Sequence, residues 1–395
     1  MNQIQQAQKY LKERHLDGWL LYDFHGCNHL ARYFLGMPAS KMTTRRFFYW
    51  IPAVGEPIKV VHAIEENSLS GVPGGKKVYS SWQSLEKVLA GVLQGVKKVA
   101  MEYSPRNAIP YASLVDGGTI DLIRSFGVEV FTSADFLPHF TAVLTEPQVE
   151  SHMRAAKALD KIVNGAWEWI HDQLSAGKRI TEYDVQQKLL ADFKFKNLIT
   201  DHAPIVGVNA HSADPHYAPK EGESSPIQKG DFILIDLWAK EMDEKSVFGD
   251  ITRVAIASDK PTPMQQKIFD IVRTAQKAGI DLVKSRFAEG KRIEGWEVDE
   301  TVRAIIIDAG YGKNFIHRTG HNIEIALHGS GADMDNLEMH DVRPILPSTV
   351  FSIEPGIYLP EEFGVRLELD LLVRKDGRVE VTTGEQDSIV CLYRS

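Results

Sequence analysis

A chain of 395 residues that is 43% hydrophobic, 25% charged and 9% aromatic is an ordinary globular protein, long enough for two domains. Its net charge of −8 leaves no basic stripe to neutralise phosphates, which argues against a nucleic-acid partner. Two cysteines, Cys27 and Cys391, are too few for a disulfide framework or a thiolate cluster. No apolar run reaches the length of a membrane span, so a soluble, cytoplasmic protein without a membrane partner is expected.

The N-terminal stretch "MNQIQQAQKYLKERHLDGWLLYD" lacks the basic-then-apolar layout of a signal peptide. From there to residue 144 the chain reads as alternating short strands and helices. "GWLLYD", "FFYWIPAV", "PIKVVHAI", "KKVAMEY" and "VEVFTSAD" have the look of buried strands. "SWQSLEKVLAGVLQ" has helical spacing, and Ser81 or Ser84 is placed to cap it. The periodicity changes at Thr145-Glu146-Pro147, where a long amphipathic helix begins, and the domain boundary is set there: 1–144 and 145–395.

The second domain carries one layout twice. Helices over about 149–175 and 182–196 precede strands that end in "DFILIDLWAKEMDEKSVFGDITRVAIA". The second half opens on a helix with Thr262 as N-cap, Pro263 at its first position and Gln265 closing a capping box. A shorter helix, "EVDETVRAIIIDAGYG", stops at Gly310 or Gly312, and the stretch "VFSIEPGIYLPEEFGVRLELDLLV" closes the repeat. The fold class is therefore mixed α/β (α+β).

Carboxylates interrupt the apolar strands. Asp236 and Asp250 flank a turn centred on Asp243 and are expected to face each other across two antiparallel strands. Glu354 and Glu368 flank a turn centred on Glu361 at the same separation of fourteen residues. Like charges opposed in a sheet are destabilising, and a buried unpaired carboxylate costs several kcal/mol or stays protonated. Edge-strand carboxylates paired with Arg253 and Arg366 would explain one such pair. Two pairs at equal spacing in matching halves, with histidines gathered between them in "FIHRTGHNIEIALHGSG", favour a shared metal. Four carboxylates balance two divalent ions, and oxygen donors with one imidazole suit Mn²⁺, Co²⁺, Fe²⁺ or Zn²⁺.

In this order, "DLWAKEMDEKSVFGDITR", "HRTGHNIEIALH", "SIEPGIY" and "GVRLE" resemble the pita-bread metallopeptidases, above all their Xaa-Pro branch, aminopeptidase P and prolidase. Residues 1–144 resemble the creatinase-type N-terminal domain of that branch, and 145–395 its catalytic domain with a pseudo-twofold repeat. The resemblance implies that Asp236, Asp250, His321, Glu354 and Glu368 hold two divalent ions, Mn²⁺ first among them, with Asp250 and Glu368 bridging. It makes His328 and His216 catalytic and substrate-contacting histidines, Glu354 the proton shuttle, and Arg366 a brace of the ligands or a contact to substrate. The implied reaction is hydrolysis of the Xaa-Pro bond of a proline-containing peptide by a hydroxide bridging the ions, in a homodimer. His317 packs beneath the ligand loop or supports it by a hydrogen bond; His211 and His340 read as plain surface residues, and Arg343 as solvated.

The chain departs from the family pattern at several points. Asn322 and Glu324 stand where glycines are usual, and Gly329 stands where an acid usually follows the histidine. The segment 329–343 differs from the usual proline-containing one, and Glu324 has no role in the pattern. Two other readings stay open: a metal-dependent lyase or hydrolase acting on a small non-peptide substrate, and a protein-binding homologue without catalysis.

Overall fold

The apolar runs of the N-terminal segment become strands in the computed structural model, which describes residues 2–38 and 40–393. The chain divides into two units between Thr141 and Ala142. In the first, Gly18–Asp23 (β1), Phe47–Pro52 (β2), Ile58–His62 (β3), Gly75–Tyr79 (β4), Lys98–Met101 (β5) and Glu129–Thr132 (β6) form one sheet in the order β4-β3-β2-β1-β5-β6. Side chains alternate across it with the period of two that a strand imposes. Trp19, Leu21, Phe47 and Tyr49 pack into one core, and Leu20, Tyr22, Phe48 and Trp50 into another. Helices Gln3–Glu13 (α1), His29–Phe34 (α2), Trp82–Val92 (α3), Gly117–Ser125 (α4) and Pro138–Thr141 (α5) accompany the sheet, and Ser81 caps α3 through a reciprocal pair with Ser84.

The second unit has the twofold plan expected from its sequence. Glu146–Ser175 (α6) is capped by Thr145 with Gln148 and buries Val149, His152, Ala156, Leu159, Val163 and Ile170 at helical spacing. Next come Ile180–Thr181 (β7), Glu182–Phe195 (α7), Leu198–Ile199 (β8), Ile205–Val208 (β9), Pro226–Ile227 (β10), Phe232–Glu241 (β11) and Gly249–Ile256 (β12). A Cβ at Gly249 would stand 3.0 Å from the Ala156 nitrogen, so α6 lies directly on β12. The second half runs Pro263–Ala288 (α8), with the Thr262–Gln265 capping box, then Gly295–Asp308 (α9), Asn322–Ile323 (β13), Thr349–Ile353 (β14), Gly356–Leu359 (β15), Phe363–Arg366 (β16), Leu369–Val373 (β17), Val379–Val381 (β18) and Val390–Cys391 (β19). An isolated bridge between Thr252 and Glu368 joins the two halves. Among the described residues no helix is long and apolar enough to cross a membrane.

The first hairpin corrects one expectation. Asp236 lies opposite Thr252, and Asp250 opposite Trp238, so the two aspartates are diagonal neighbours rather than a facing pair. The turn is displaced because Val247 and Phe248 are drawn elsewhere: Val247 N–H donates to Ser151 Oγ at 3.1 Å and Phe248 N–H to the Glu324 carbonyl at 3.1 Å. A slip of two residues preserves the face, so both carboxylates still project to one side. In the second half the register is the expected one. Tyr358 faces Gly364 and Ile353 faces Leu369, about a turn at Glu361, where φ is +64°. Glu354 and Glu368 fall in the gap between the two ladders, and Gln276 of α8 closes it by donating to the carbonyls of Ile353 (2.9 Å) and Leu367 (2.8 Å).

Candidate metal centre

The two hairpins and the histidine loop bring the expected ligands together. One ligand atom from each of Asp250, His321 and Glu368 lies within 4.8 Å of the others, and all three residues are buried. His321 Nε2 is 3.5 Å from Asp250 Oδ2 and 3.6 Å from Glu354 Oε1. Asp236 joins through Thr252, whose Oγ1 is 3.0 Å from Asp236 Oδ1 and 2.7 Å from Glu368 Oε2. That hydroxyl has one hydrogen, so it can satisfy only one of the two carboxylates at a time.

Backbone contacts place the imidazole. A Cβ at Gly320 would fall 2.0 Å from the Ser352 carbonyl, so only glycine lets the loop lie on β14 there. His321 N–H donates to Ser352 Oγ, and the His321 carbonyl accepts from Ser352 N–H. From α9, Asp299 accepts both the N–H and the hydroxyl of Thr319, and Arg303 donates to the His317 carbonyl.

Electrostatics show that the cluster is incomplete as a set of protein groups. Burial, then the neighbouring charges of Glu368 and Asp236, pushes the Asp250 carboxyl well above its ordinary range. Burial followed by Glu354 and Asp236 does the same for Glu368, and burial raises Glu354 to about 7. Burial and the nearby His328 hold His321 well below its usual value, so the imidazole is neutral. Its close approaches to Asp250 and Glu354 are therefore not ion pairs. Asp250 Oδ1 is buried with no hydrogen-bond partner among the described residues. Deprotonatable oxygens around a neutral imidazole, one of them orphaned, are the donor set of a divalent cation. On this ground the residues present fit a metal site.

Arg366 is fully engaged inside the protein. It donates to Asp236 Oδ2 (2.5 Å), Thr252 Oγ1 (3.0 Å) and the Tyr358 hydroxyl (3.1 Å), the geometry of a brace rather than of a substrate contact. His317 extends that brace, with Nε2 2.8 Å from the Tyr358 hydroxyl. The His328 ring stands edge-on to His321, with centroids 4.4 Å apart. Solvent reaches His328, yet its neighbours desolvate the ring enough, with the charge of Arg318 second, to lower it to about 4; Asp201 opposes this, and His216 adds to it. His216 is exposed, on a segment that its neighbours fix.

Two expectations are corrected here. His211 is not a plain surface residue: its Nδ1 is 2.9 Å from Glu182 Oε1 and its ring stacks on Tyr217 at 4.2 Å. The fully buried Glu182 also accepts from Val208 N–H, Tyr217 hydroxyl and Ser225 N–H, so one carboxylate ties down the segment that carries His216. Arg343 is buried, 1% exposed, and pairs with Asp341 through Nε and Nη2. His340 is exposed, as expected, beside Asn336 and Trp296. Sequence reasoning passed over Thr252, Tyr358 and Asp370. Thr252 and Asp370 each lie two residues beyond a ligand candidate on the same strand face, a signal that was available; Asp370 Oδ2 accepts the Asp250 N–H at 2.9 Å.

Comparison with known proteins agrees with this picture. An Xaa-Pro dipeptidase of Lactobacillus delbrueckii subsp. lactis is 30% identical over 244 residues, 62% of this chain and 61% of that protein. An Xaa-Pro dipeptidase of Pyrococcus horikoshii is 27% identical over 298 residues, 75% of this chain and 76% of that one. The crystal structure of dipeptidase PepE from Mycobacterium ulcerans superposes with a TM-score of 0.71 at 20% identity, over 99% of this chain and 97% of its own, which shows a shared fold. Residues 150–375, which contain the whole carboxylate and imidazole cluster, match the metallopeptidase family M24, and the chain belongs to that family.

Proposed function

We propose that the protein is a metal-dependent peptidase that hydrolyses the Xaa-Pro bond, with Asp236, Asp250, His321, Glu354 and Glu368 holding two divalent ions, Mn²⁺ first among those that suit the donors. The observation that carries this is the convergence of Asp250, His321 and Glu368 with an orphaned buried oxygen on Asp250. Bound there, a pair of divalent cations lowers the pKa of water towards neutrality and polarises a carbonyl. The Xaa-Pro dipeptidases among the relatives supply the bond.

The protein's own groups divide the remaining work. Glu354 is the most open of the carboxylates, its side chain 14% exposed against 5% for Asp250, so it is the one placed to carry a proton to the leaving imino nitrogen. His328, kept neutral by desolvation and the charge of Arg318, presents an N–H to the oxygen of the scissile carbonyl. His216 contacts the substrate beside it. A proline substrate is rigid and lacks the amide N–H, so a pocket between two imidazoles selects it by shape. Arg366 holds Asp236 in place. Arg366→Lys, which cannot keep all three bonds, is expected to weaken metal binding by about ten- to a hundredfold, read by calorimetric titration with Mn²⁺.

We place the enzyme in the cytoplasm as a homodimer, with the creatinase-like unit 1–144 and the catalytic unit 145–395. The deciding assay offers the Mn²⁺-loaded protein Xaa-Pro dipeptides beside longer peptides with proline second. Cleavage before proline in either set is the expected result; cleavage of neither would turn the reading towards a non-peptide substrate.

A further inference from the structure

The loop from His321 to Gly331 contains an acid that the metal does not use. Glu324 is 8% exposed, and Ser330 donates to its Oε1 twice, from N–H at 2.7 Å and from Oγ at 2.9 Å. Its own carbonyl accepts from Phe248 N–H, and its N–H donates to the Ala326 carbonyl. The far side of the loop is anchored as well. Gly329 N–H donates to the Asn322 carbonyl at 2.7 Å, Gly331 N–H to Asn322 Oδ1 at 2.8 Å, and Arg343 Nη1 to the Ser330 carbonyl at 2.9 Å. Lys240 Nζ holds the Ile325 carbonyl at 2.6 Å. Between these anchors His328 reaches solvent with its ring against the edge of His321.

The space beside Gly329 is already taken. A Cβ built there would lie 2.3 Å from Asn322 Oδ1 and 2.7 Å from Glu324 Oε1. The position where the family pattern has an acid is thus crowded by the side chains of Asn322 and Glu324, and the carboxylate beside it comes from residue 324. A buried acid bonded by both groups of Ser330, with the Gly331 backbone beside them, orders a loop.

We infer that Glu324 is the positioning residue of His328: through Ser330 it closes the loop and fixes where the imidazole stands over His321. This rests on the reading of His328 as a substrate contact. Both Ser330 bonds converge on Oε1, so a glutamine, which keeps that acceptor, conserves the clasp and an alanine removes it.

The test is a double-mutant cycle on the full-length, Mn²⁺-loaded protein with an Xaa-Pro dipeptide. E324A is expected to lower kcat by about ten- to a hundredfold with KM and bound metal little changed, because a displaced catalytic contact costs that much. E324Q restores kcat to within about threefold of the wild type, since the acceptor is retained. In an H328A background, E324A adds no further loss. E324A at wild-type rate beside an impaired H328A overturns the inference, as does an E324A penalty that persists undiminished in H328A. An H328A enzyme of full activity overturns the histidine's own role instead, so the two failures are told apart. Should E324A not fold, S330A takes its place in the same cycle, with a smaller loss in kcat that vanishes beside H328A; a loss that stays overturns the inference.

Discussion

Alanine at Asp250 or at Glu368 is expected to give a folded protein that neither retains metal nor hydrolyses Xaa-Pro substrate. The loss in turnover is about a thousandfold or more, since several kcal/mol of charge stabilisation disappear with the ions. Elemental analysis of the purified variants and a turnover assay read both effects, and full activity in either variant would refute the two-metal reading. Stability supplies an independent check. Among the described residues Asp250 Oδ1 has no donor, and the carboxyl is pushed up by burial and by its neighbours Glu368 and Asp236. Removing it relieves the metal-free protein of a buried carboxyl with an unpaired oxygen among other acids, so metal-free D250A is expected to melt above the metal-free wild type at pH 8. A variant that merely broke the core would melt below it.

Chelation should lower the melting temperature of the wild type, and by more as pH rises. Asp250, Glu354 and Glu368 all have carboxyls raised by burial, Glu354 to about 7. A group whose folded pKa is raised contributes stability that is complete below its unfolded value, about 4, and is lost as pH climbs through the folded value. The metal-free protein is therefore expected to lose stability between about pH 4 and pH 7 and beyond, until other effects dominate. Bound cations remove that penalty, so metal stabilises most where the carboxylates are ionised. At a hundred times the dissociation constant each site contributes about 2.7 kcal/mol, which shifts the midpoint by about 5–10 °C for a unit of this size. Thermal melts with and without chelator from pH 5 to pH 8 measure it. A chelator effect that is flat or falls with pH contradicts the charge argument.

Much of this was legible in the chain because its signals were local or periodic. Thr262, Pro263 and Gln265 announce the start of α8, and the structure has that capping box. Carboxylates inside apolar strands point to a shared cation because burial makes any other arrangement costly, and equal spacing shows two halves. The facing of Asp236 and Asp250 was misplaced because the ends of the hairpin loop are fixed by Ser151 and Glu324, residues distant in the chain. His211 looked like a plain surface residue for a similar reason, since its partner Glu182 lies 29 residues away; Arg343 has its acid, Asp341, only two residues off, but nothing local shows that both are buried. Long-range contacts chose the hairpin register and the setting of His211, and no periodicity encodes them.

The single-residue bridge between Thr252 and Glu368 has a mechanical consequence. Asp236 and Asp250 belong to one half of the repeat, whereas His321, Glu354 and Glu368 belong to the other, and neither half alone offers a full cage. A cation held by residues of both halves would act as a rivet across the seam, drawing shut a chain loop that spans more than a hundred residues. The ladder between β12 and β19 and the apolar core shared by the two halves hold the seam as well, so stripping the ion from a chain nicked around residues 258–262 is expected to loosen the two fragments without parting them.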